Sequence, residues 1–412
     1  MNTAVQIETT FREEHGRVLA TLISQFEDFT LAEDALQDAL VEALTRWPTG
    51  GVPHNPGAWL TTVARRRAIY RLRRAATLER KSAILDNFAD EEEETEMEFI
   101  PDDRLKLMFT CCHPSLALEA QVALTLHTLG GLSTPEIARA FLVPVSTMAQ
   151  RLARARAKIR NAGIPYRVPS ADVLPERLDA LLAVIYLIFS EGYCTTGGDT
   201  LTRSDLCSEA IRLCRVLIAL LPESAEARGL LALLLLHDSR RETRLDPAGD
   251  LVLLDEQDRT RWDQVKIREG IAILDEAIRL YAPGAYQVQA AISALHAKAA
   301  TPELTDWSQI ASLYSTLAVM MPSPVVEVNR AVAIAMAKNP IIGLVMLHRI
   351  KSVEDFYPYH VARADLLRRT NQREAAADAY ERALALCGNN AERAYLQRRL
   401  DEMLNRSHDL NS

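Results

Sequence analysis

The sequence predicts an all-α protein with two small helical domains followed by a larger helical array. Apolar residues recur at three- and four-residue spacing along most of the 412 residues, which is the period of one helix face. Alternating patterns, which predict strands, are rare. From Glu176 onward, Ala and Leu are abundant at helical spacing, and Pro and Gly interrupt the runs. We therefore expect helical hairpins stacked in a solenoid-like manner in the C-terminal part.

Composition narrows the class of protein further. Hydrophobic residues make up 48% of the chain and charged residues 25%, as in globular proteins, and the length predicts two to four domains. Because no apolar run could span a bilayer and the N-terminus lacks a signal-peptide core, we expect a cytoplasmic protein without membrane contact. The six cysteines match no disulfide spacing. The net charge of -8 argues against a general nucleic-acid binder, so local charge segregation is informative.

Changes in composition suggest four segments. Residues 9–76 form a first helical domain that ends in a basic run, and residues 104–163 form a second with the same ending. Between them, residues 77–103 are polar and contain the acidic block 90–94, which cannot bury a core and is expected to be a linker. After a Pro-containing joint, residues 176–412 form the helical extension.

An acidic stripe marks the helix predicted at residues 31–44. Leu36, Leu40 and Leu44 fall on one face, while Asp34, Asp38 and Glu42 form a row on another. Two interpretations remain open at this point. The stripe is either a solvated helix face or a docking surface for a basic helical partner.

The next helical segment, residues 58–74, combines arginines with aromatic residues. Six arginines lie within ten residues, from Arg65 to Arg74, and Trp59 and Tyr70 are interleaved with them. Arginine binds phosphate through bidentate hydrogen bonds, and aromatic rings stack on unpaired bases. This mixture suits partly single-stranded DNA, although a solvated basic helix, or one that binds RNA or an acidic protein, has the same composition.

A helix-turn-helix is predicted in the second domain. Residues 133–136 form a capping box, and residues 142–144 make a turn before a second helix that begins near Val145. One face of this helix is apolar and the opposite face is basic, so it would enter the major groove; an ordinary helical hairpin is the alternative. The expected buried stripe is Val145, Met148, Leu152, Ala155 and Ile159, and the expected polar face is Thr147, Gln150, Arg151, Arg154 and Lys158.

The order of these elements resembles that of extracytoplasmic-function sigma factors, over about residues 9–162. Residues 32–38 resemble the polymerase-docking helix, residues 55–60 and 64–74 the element that melts and reads the -10 region, and residues 132–156 the -35 reader. The resemblance implies core RNA polymerase and promoter DNA as partners, with no catalytic residue, metal or cofactor. The family often has Asn at position 66 and Asp at position 70, where this chain has Arg66 and Tyr70, a departure that bears on -10 preference.

The resemblance assigns three sets of site residues. The polymerase-binding set is Glu33, Asp34, Gln37 and Asp38. The -10 set is Asn55, Trp59, Arg65, Arg66, Arg67, Tyr70, Arg71, Arg73 and Arg74. The -35 set is Ser146, Thr147, Gln150, Arg151, Arg154 and Lys158.

The C-terminal extension resembles that of a subgroup of these sigma factors with tetratricopeptide-like repeats. The segments that carry this likeness are 109–114, 190–193, 254–259 and 305–307. The subgroup implies control by the fused domain and a small regulatory partner protein of the DGPF type. The last hairpin fits a 34-residue repeat best, with small and aromatic positions at Ala364, Ala376, Tyr380 and Ala383.

Three further segments raise other chemistry. Residues 240–263 form a polar insertion, which we expect to be functional and which could cover the first domain by charge pairing. Residues 111–113, Cys-Cys-His, are expected to be packing cysteines rather than zinc ligands. Residues 237–239, His-Asp-Ser, are not expected to form a triad, because neighbours in sequence rarely do.

These patterns are compatible with three functions. The first is a sigma factor, the second a one-component regulator with a helix-turn-helix and a helical sensor domain, and the third an enzyme in the C-terminal half. The arginine-rich element at residues 65–74 favours the first, because a simple repressor needs no melting module.

Overall fold

The computed structural model describes residues 3–79, 103–141, 143–193, 204–246, 251–351, 353–388 and 390–405. These residues form 18 α-helices, and their only extended pairing is an isolated bridge between Leu245 and Leu251. The all-α prediction is therefore confirmed. Most of the predicted acidic linker, residues 80–102, lies outside the described residues.

The chain divides into two compact units, Met1–Val184 and Ile185–Ser412. Helices α1 to α3 of the first unit pack on one another, and α4 to α7 follow. The boundary between the units falls within α8. The helices are α1 (Thr3–Phe26), α2 (Phe29–Gly50), α3 (Pro56–Glu79), α4 (Arg104–Cys111), α5 (Leu118–Thr128), α6 (Thr134–Ala140), α7 (Val145–Asn161) and α8 (Leu174–Tyr193).

Helix α2 buries a face made mostly of alanine, and the leucine row joins it only in part. Leu36 is 1% exposed, whereas Leu44 is 50% exposed. The helix continues to Gly50, six residues beyond the end of the predicted segment 31–44. In this last part Trp47 is buried against Trp59, with 5.3 Å between ring centroids.

Consecutive helices pack against each other in the second unit, as expected for hairpins. The short α15 was not predicted, because it is apolar all round and has no helical period to detect. The helices are α9 (Ser204–Leu220), α10 (Ala225–Asp238), α11 (Gln264–Arg279), α12 (Ala285–Lys298), α13 (Trp307–Met320), α14 (Pro324–Ala337), α15 (Pro340–Leu347), α16 (Tyr357–Arg369), α17 (Arg373–Leu386) and α18 (Asn390–Asn405).

The hairpin of α16 and α17 buries all four positions of the repeat pattern. Ala364, Ala376, Tyr380 and Ala383 lie in one apolar cluster and are at most 1% exposed. The turn between the helices places Asn371 at a φ of 62°, a left-handed conformation that asparagine tolerates better than most residues. The tetratricopeptide-like character of the extension stays a prediction.

The polar insertion is anchored within the second unit, over its described residues 240–246 and 251–263. Its acids Asp255 and Glu256 form ion pairs with Arg369 and Arg399, at 3.4 and 2.7 Å. These partners differ from the first-domain charges proposed from the sequence. No helix in the described part of the chain is long and apolar enough to cross a membrane.

Candidate functional site

The acidic stripe of α2 faces the arginine row of α3. The Arg71 guanidinium donates to Asp34 at 2.6 Å and to Asp38 at 2.8 Å. Both carboxylates were assigned to polymerase and Arg71 to DNA. The two predicted surfaces therefore pair with each other, across residues 33 to 37 positions apart in sequence.

Glu42 extends the same row of ion pairs. Its carboxylate accepts from Arg66 at 3.2 Å and from Arg67 at 2.8 Å, and it also pairs with Arg46. Burial alone would raise the pKa of Glu42, but the hydrogen bond from Arg67 and the three positive charges lower it below its ordinary value. The three arginines keep 44–63% of their side-chain surface exposed. They remain accessible to a competing anion.

Glu33 links α2 to the helix-turn-helix. Its carboxylate lies 2.8 Å from the Arg156 guanidinium of α7 and 3.7 Å from His127 Nε2 of α5. Burial raises the pKa of Glu33 to about 7, and Arg156 offsets only part of that shift. Burial also lowers the pKa of His127. Glu33, assigned to polymerase from the sequence, is thus only 16% exposed and is occupied by the second domain.

Backbone contacts reinforce this junction between the two domains. A Cβ added at Gly16 of α1 would lie 2.8 Å from the carbonyl oxygen of Leu129, so only glycine permits the approach. Gly131 has a φ of 66° and packs under the His15 ring. The Tyr166 hydroxyl donates to the Ala20 carbonyl at 2.8 Å. The first and second domains therefore pack as one unit.

The remaining -10 residues occupy different environments. Asn55 accepts a hydrogen bond from the Ala58 amide at 3.0 Å, so it caps α3. Trp59 is half-buried on Trp47, whereas Tyr70 is 63% exposed. Arg73 and Arg74 are exposed and Arg65 is half-buried. Tyr70 is thus the aromatic side chain of this set that is open to a base.

The helix-turn-helix forms as expected. Ser133 and Glu136 complete the capping box, with Ser133 N to Glu136 Oε2 at 2.7 Å and Glu136 N to Ser133 Oγ at 3.4 Å. The expected stripe of α7 is buried apart from Val145, which opens the helix and is 50% exposed, so that assignment was wrong. Five residues of the -35 set are exposed and Arg151 is half-buried. The exposed ones are Ser146, Thr147, Gln150, Arg154 and Lys158.

Cys111, the last residue of α4, and Cys112, which follows it, pack in the protein interior. Cys111 and Cys112 are fully buried, and their thiols lie 3.2 Å and 3.6 Å from threonine hydroxyls of α5. Burial raises the pKa of Cys112 to about 12, and raises that of Cys111 further. Among the described residues, no group of three or more His, Cys, Asp and Glu is arranged to hold a metal.

The His-Asp-Ser segment at residues 237–239 does not form a catalytic arrangement. His237 Nε2 lies 3.1 Å from Ser293 Oγ, in α12. Asp238 pairs with Lys266 at 2.8 Å, and Ser239 donates to the Leu236 carbonyl. The three neighbouring side chains thus serve three separate contacts.

Sequence reasoning missed the contacts that bring these residues together. Arg156 of α7 was not among the predicted site residues, and no pattern pointed to Glu33 as its partner. Glu42 was seen in the stripe but left out of the site, although it holds two arginines of the -10 set. Because the partners are 24 or more residues apart, no local spacing could have identified them.

Family comparisons match three parts of the chain. The model for sigma-70 region 2 matches residues 10–77, and that for sigma-70 region 4 matches residues 106–159. A family of unknown function, DUF6596, matches residues 177–278. An uncharacterized protein of Rhizobium meliloti (strain 1021) is 42% identical over 394 residues, covering 94% of this chain and 93% of the relative. No solved structure matches the chain.

The family matches fall on the elements described above. Region 2 covers α1 to α3 with the acid–arginine row, and region 4 covers α4 to α7 with the helix-turn-helix. Such regions bind core RNA polymerase and recognise promoter DNA, and sigma factor families are not enzymes. The chain therefore carries sigma-70 regions 2 and 4 followed by a DUF6596 domain, an arrangement that fits an ECF-like sigma factor with a C-terminal extension.

Proposed function

We propose that this sigma factor docks on core polymerase through α2, reads the -10 element with α3 and the -35 element with α7, and is regulated through its C-terminal helical unit. We place it in the cytoplasm and assign it no catalytic activity. The observation that carries the proposal is the row of ion pairs between α2 and α3. On this proposal, basic residues of polymerase replace the α3 arginines as partners of the α2 carboxylates. Promoter phosphates replace the carboxylates as partners of the arginines.

Replacing these partners costs little. An exposed ion pair contributes about 0–1 kcal/mol, and Arg71, Arg66 and Arg67 are each 40% or more exposed. Each arginine that moves to a phosphate gains a charge-assisted hydrogen bond and releases counterions from the DNA. The carboxylates freed by this exchange become available to basic residues of the polymerase. Docking and DNA binding would therefore favour each other.

The Glu33–Arg156 junction has to open for both elements to be read. The -10 and -35 elements are separated by about 25 base pairs, which is roughly 85 Å of duplex at about 3.4 Å per pair. Helix α1, with 24 residues, is only about 36 Å long. Domains joined by a 2.8 Å ion pair cannot place their reading helices so far apart. We infer that the closed arrangement belongs to the free protein.

Run-off transcription with purified core polymerase tests the docking assignment. Asp34→Arg and Gln37→Arg each reverse or add charge on the exposed side of α2, and both should weaken core binding. Gln37 is exposed, so its substitution disturbs no acid of the α2–α3 row. The matched control is Arg71→Gln, which breaks the same internal pair but leaves the acidic surface of α2 unchanged. Because Arg71 is also assigned to DNA, core affinity is measured for these variants without promoter.

The control separates docking from folding. If Asp34 contacts polymerase, Asp34→Arg lowers core affinity, whereas Arg71→Gln, which loses the same internal pair, does not. An equal loss of core affinity in both variants, or unchanged core affinity of Gln37→Arg, would refute the docking assignment. Binding to promoter duplex without core, together with no promoter-specific transcript, would instead support a one-component regulator.

Regulation through the C-terminal unit is proposed to use a small partner protein of the DGPF type. The turn between α13 and α14 exposes four apolar side chains in seven residues: Val319 is 83% exposed, and Met320, Met321 and Val325 are 40–49% exposed. Clustered exposed apolar residues mark protein-binding surfaces. When the purified partner protein is added, Val319→Asp should abolish the partner's effect on transcription. Thr316→Asp, on the polar side of α13, should leave that effect unchanged. An equal response of both variants would contradict the proposal.

A further inference from the structure

The C-terminal unit contains a cavity whose wall is partly polar. It has a volume of about 140 Å³ and lies between α10, α12, α13 and the insertion. Its polar lining includes Arg240, His237 and His296, and its apolar lining includes Leu236, Leu254 and Ile292. None of the lining residues is a carboxylate. The cavity is therefore cationic on one side and hydrophobic on the other.

Arg240 is the uncompensated charge at this cavity. Its neighbours in sequence are all engaged: Arg241 pairs with Asp238 at 3.0 Å, and the Arg244 guanidinium stacks on the Tyr193 ring at 4.0 Å. The side chain of Arg240 has no ion pair or hydrogen bond to any residue that the structure describes; its guanidinium lies 5.9 Å from the centroid of the Tyr193 ring. Arg240 is half-buried, and a cation that is partly shielded from water and has no counter-ion would stabilise a bound anion.

The histidines beside Arg240 respond to its charge. Burial lowers the pKa of His237 well below its ordinary value, and burial lowers that of His296 to about 4. In both cases Arg240 lowers the pKa further. Both rings are therefore neutral at pH 7, so each can donate one hydrogen bond and accept another. They add polarity to the cavity without adding charge.

Two buried ring nitrogens in the lining have no hydrogen-bond partner. Trp262 is 4% exposed and its Nε1 group, which can only donate, has no acceptor; His296 Nδ1 is likewise unpartnered. Buried donors without acceptors are uncommon in folded proteins. An oxyanion in the cavity would supply the acceptor that Trp262 lacks and the negative charge that Arg240 lacks.

We propose that this cavity binds a small organic carboxylate, with its oxygens toward Arg240 and Trp262 and its hydrocarbon end against the apolar wall. The volume equals about four or five water molecules at about 30 Å³ each, which suits an acid of a few carbons and excludes nucleotides. Inorganic phosphate shares the oxyanion chemistry but has no apolar end. The site is a property of the C-terminal unit and does not depend on how that unit acts on transcription.

Titration calorimetry of the full-length protein at pH 7 tests the site with three probes: butyrate, its uncharged analogue butyramide, and inorganic phosphate. Butyrate should bind, and butyramide should not, because it cannot neutralise Arg240. Arg240→Gln should weaken butyrate binding about 10- to 100-fold, the loss expected for a charge-assisted hydrogen bond. The matched control is Arg261→Gln, which removes the same charge from an exposed position outside the cavity lining.

The outcomes are distinct. Butyrate binding that Arg240→Gln weakens and Arg261→Gln leaves unchanged supports the site. Equal binding by both variants, equal affinity for butyrate and butyramide, no butyrate binding at millimolar concentration, or phosphate binding more tightly than butyrate would each overturn it. The butyrate–butyramide comparison needs only the wild-type protein, so it decides the question even if Arg240→Gln does not fold.

Discussion

The two units use arginine in opposite ways. In the N-terminal unit, Arg66, Arg67 and Arg71 are 40–58% exposed and pair with carboxylates on a neighbouring helix. In the C-terminal unit, Arg244 and Arg259 are 9% and 8% exposed and bind mainly backbone oxygens. The first arrangement can exchange partners, whereas the second cannot do so without unfolding. The contrast separates side chains that bind other molecules from side chains that hold the fold.

The free energies of exposed and buried contacts explain why these two sets of arginines differ. An exposed ion pair contributes about 0–1 kcal/mol because water solvates both charges after separation. When a buried guanidinium is removed, or when it loses its acceptors, each buried group left without a hydrogen bond costs about 1–3 kcal/mol of stability. Substituting the buried arginines Arg244 and Arg259 should therefore affect stability, whereas substituting the exposed arginines Arg66, Arg67 and Arg71 should affect binding.

The largest effect is expected for Arg259→Gln. The guanidinium donates to the carbonyls of His296 and Ala299, at 3.0 and 2.9 Å, and to Thr305 Oγ1 at 3.1 Å, so it ties the insertion to the chain that connects α12 and α13. Its loss should lower the free energy of unfolding by about 3 kcal/mol or more. Urea unfolding measures this, with Trp47 and Trp59 replaced by Phe so that the remaining tryptophans report on the C-terminal unit alone.

The matched control for that experiment is Arg261→Gln. Arg261 lies two residues away and is exposed, so its substitution should change stability by less than about 0.5 kcal/mol. Equal effects of the two variants would mean that burial does not distinguish structural arginines in this protein.

The second largest effect is a pH dependence at Glu33, the buried exception among the N-terminal ion pairs. Its folded pKa of about 7 lies above its ordinary value of 4.5, so the folded state holds the proton more tightly between those values. Stability should therefore fall as pH rises from about 4.5 to about 7, by up to about 3 kcal/mol, and then level off. Unfolding measured at pH 5 and pH 8 should show this decline in the wild type and a smaller one in Glu33→Gln. Identical pH profiles would contradict the assignment.

A third substitution, Gln150→Ala, tests binding rather than stability. Gln150 is exposed on α7, so the fold should be unaffected, while discrimination at one -35 position should fall by about 1–3 kcal/mol. Lys158→Ala is the contrast, because a phosphate contact should weaken all sequences equally. Holoenzyme binding to a mapped promoter and to its single-base variants distinguishes the two. A uniform loss with Gln150→Ala would rule out base reading by that side chain.

The smallest effect is expected for Glu42→Gln, and its pH dependence has the opposite sign to that of Glu33. Because the folded pKa of Glu42 lies below its ordinary value, its contribution is present above that value and is lost as pH falls through the folded pKa. At pH 7 the substitution should cost about 0.5–1 kcal/mol, and this cost should shrink as the pH falls below the ordinary pKa of 4.5. Thermal melting over a series of pH values provides the measurement, and a cost that grows at acidic pH would contradict the assignment.

The sequence predicts the helices more reliably than it predicts contacts between residues that are far apart in the chain. The helix-turn-helix and most C-terminal helices follow from local period and capping, which the sequence contains directly. The leucine row of α2 indicated its buried face only in part, because Leu36 is buried but most of that face is alanine. The pairing of Arg71 with Asp34 was also missed, because it depends on the angle between helices far apart in the chain. The cavity beside Arg240 depends likewise on segments that only the tertiary fold brings together.

Helix α8 has a practical consequence for designing shortened forms of the protein. Its first half belongs to the N-terminal unit: Leu181 and Val184 are fully buried, and Arg177 donates to the Phe109 carbonyl of α4. A cut at residue 176 would therefore remove part of the core of the promoter-reading half. Any loss of transcription would then reflect damage rather than missing regulation. A gene fragment that ends after Tyr193 keeps the whole helix and is the sounder starting point for such experiments.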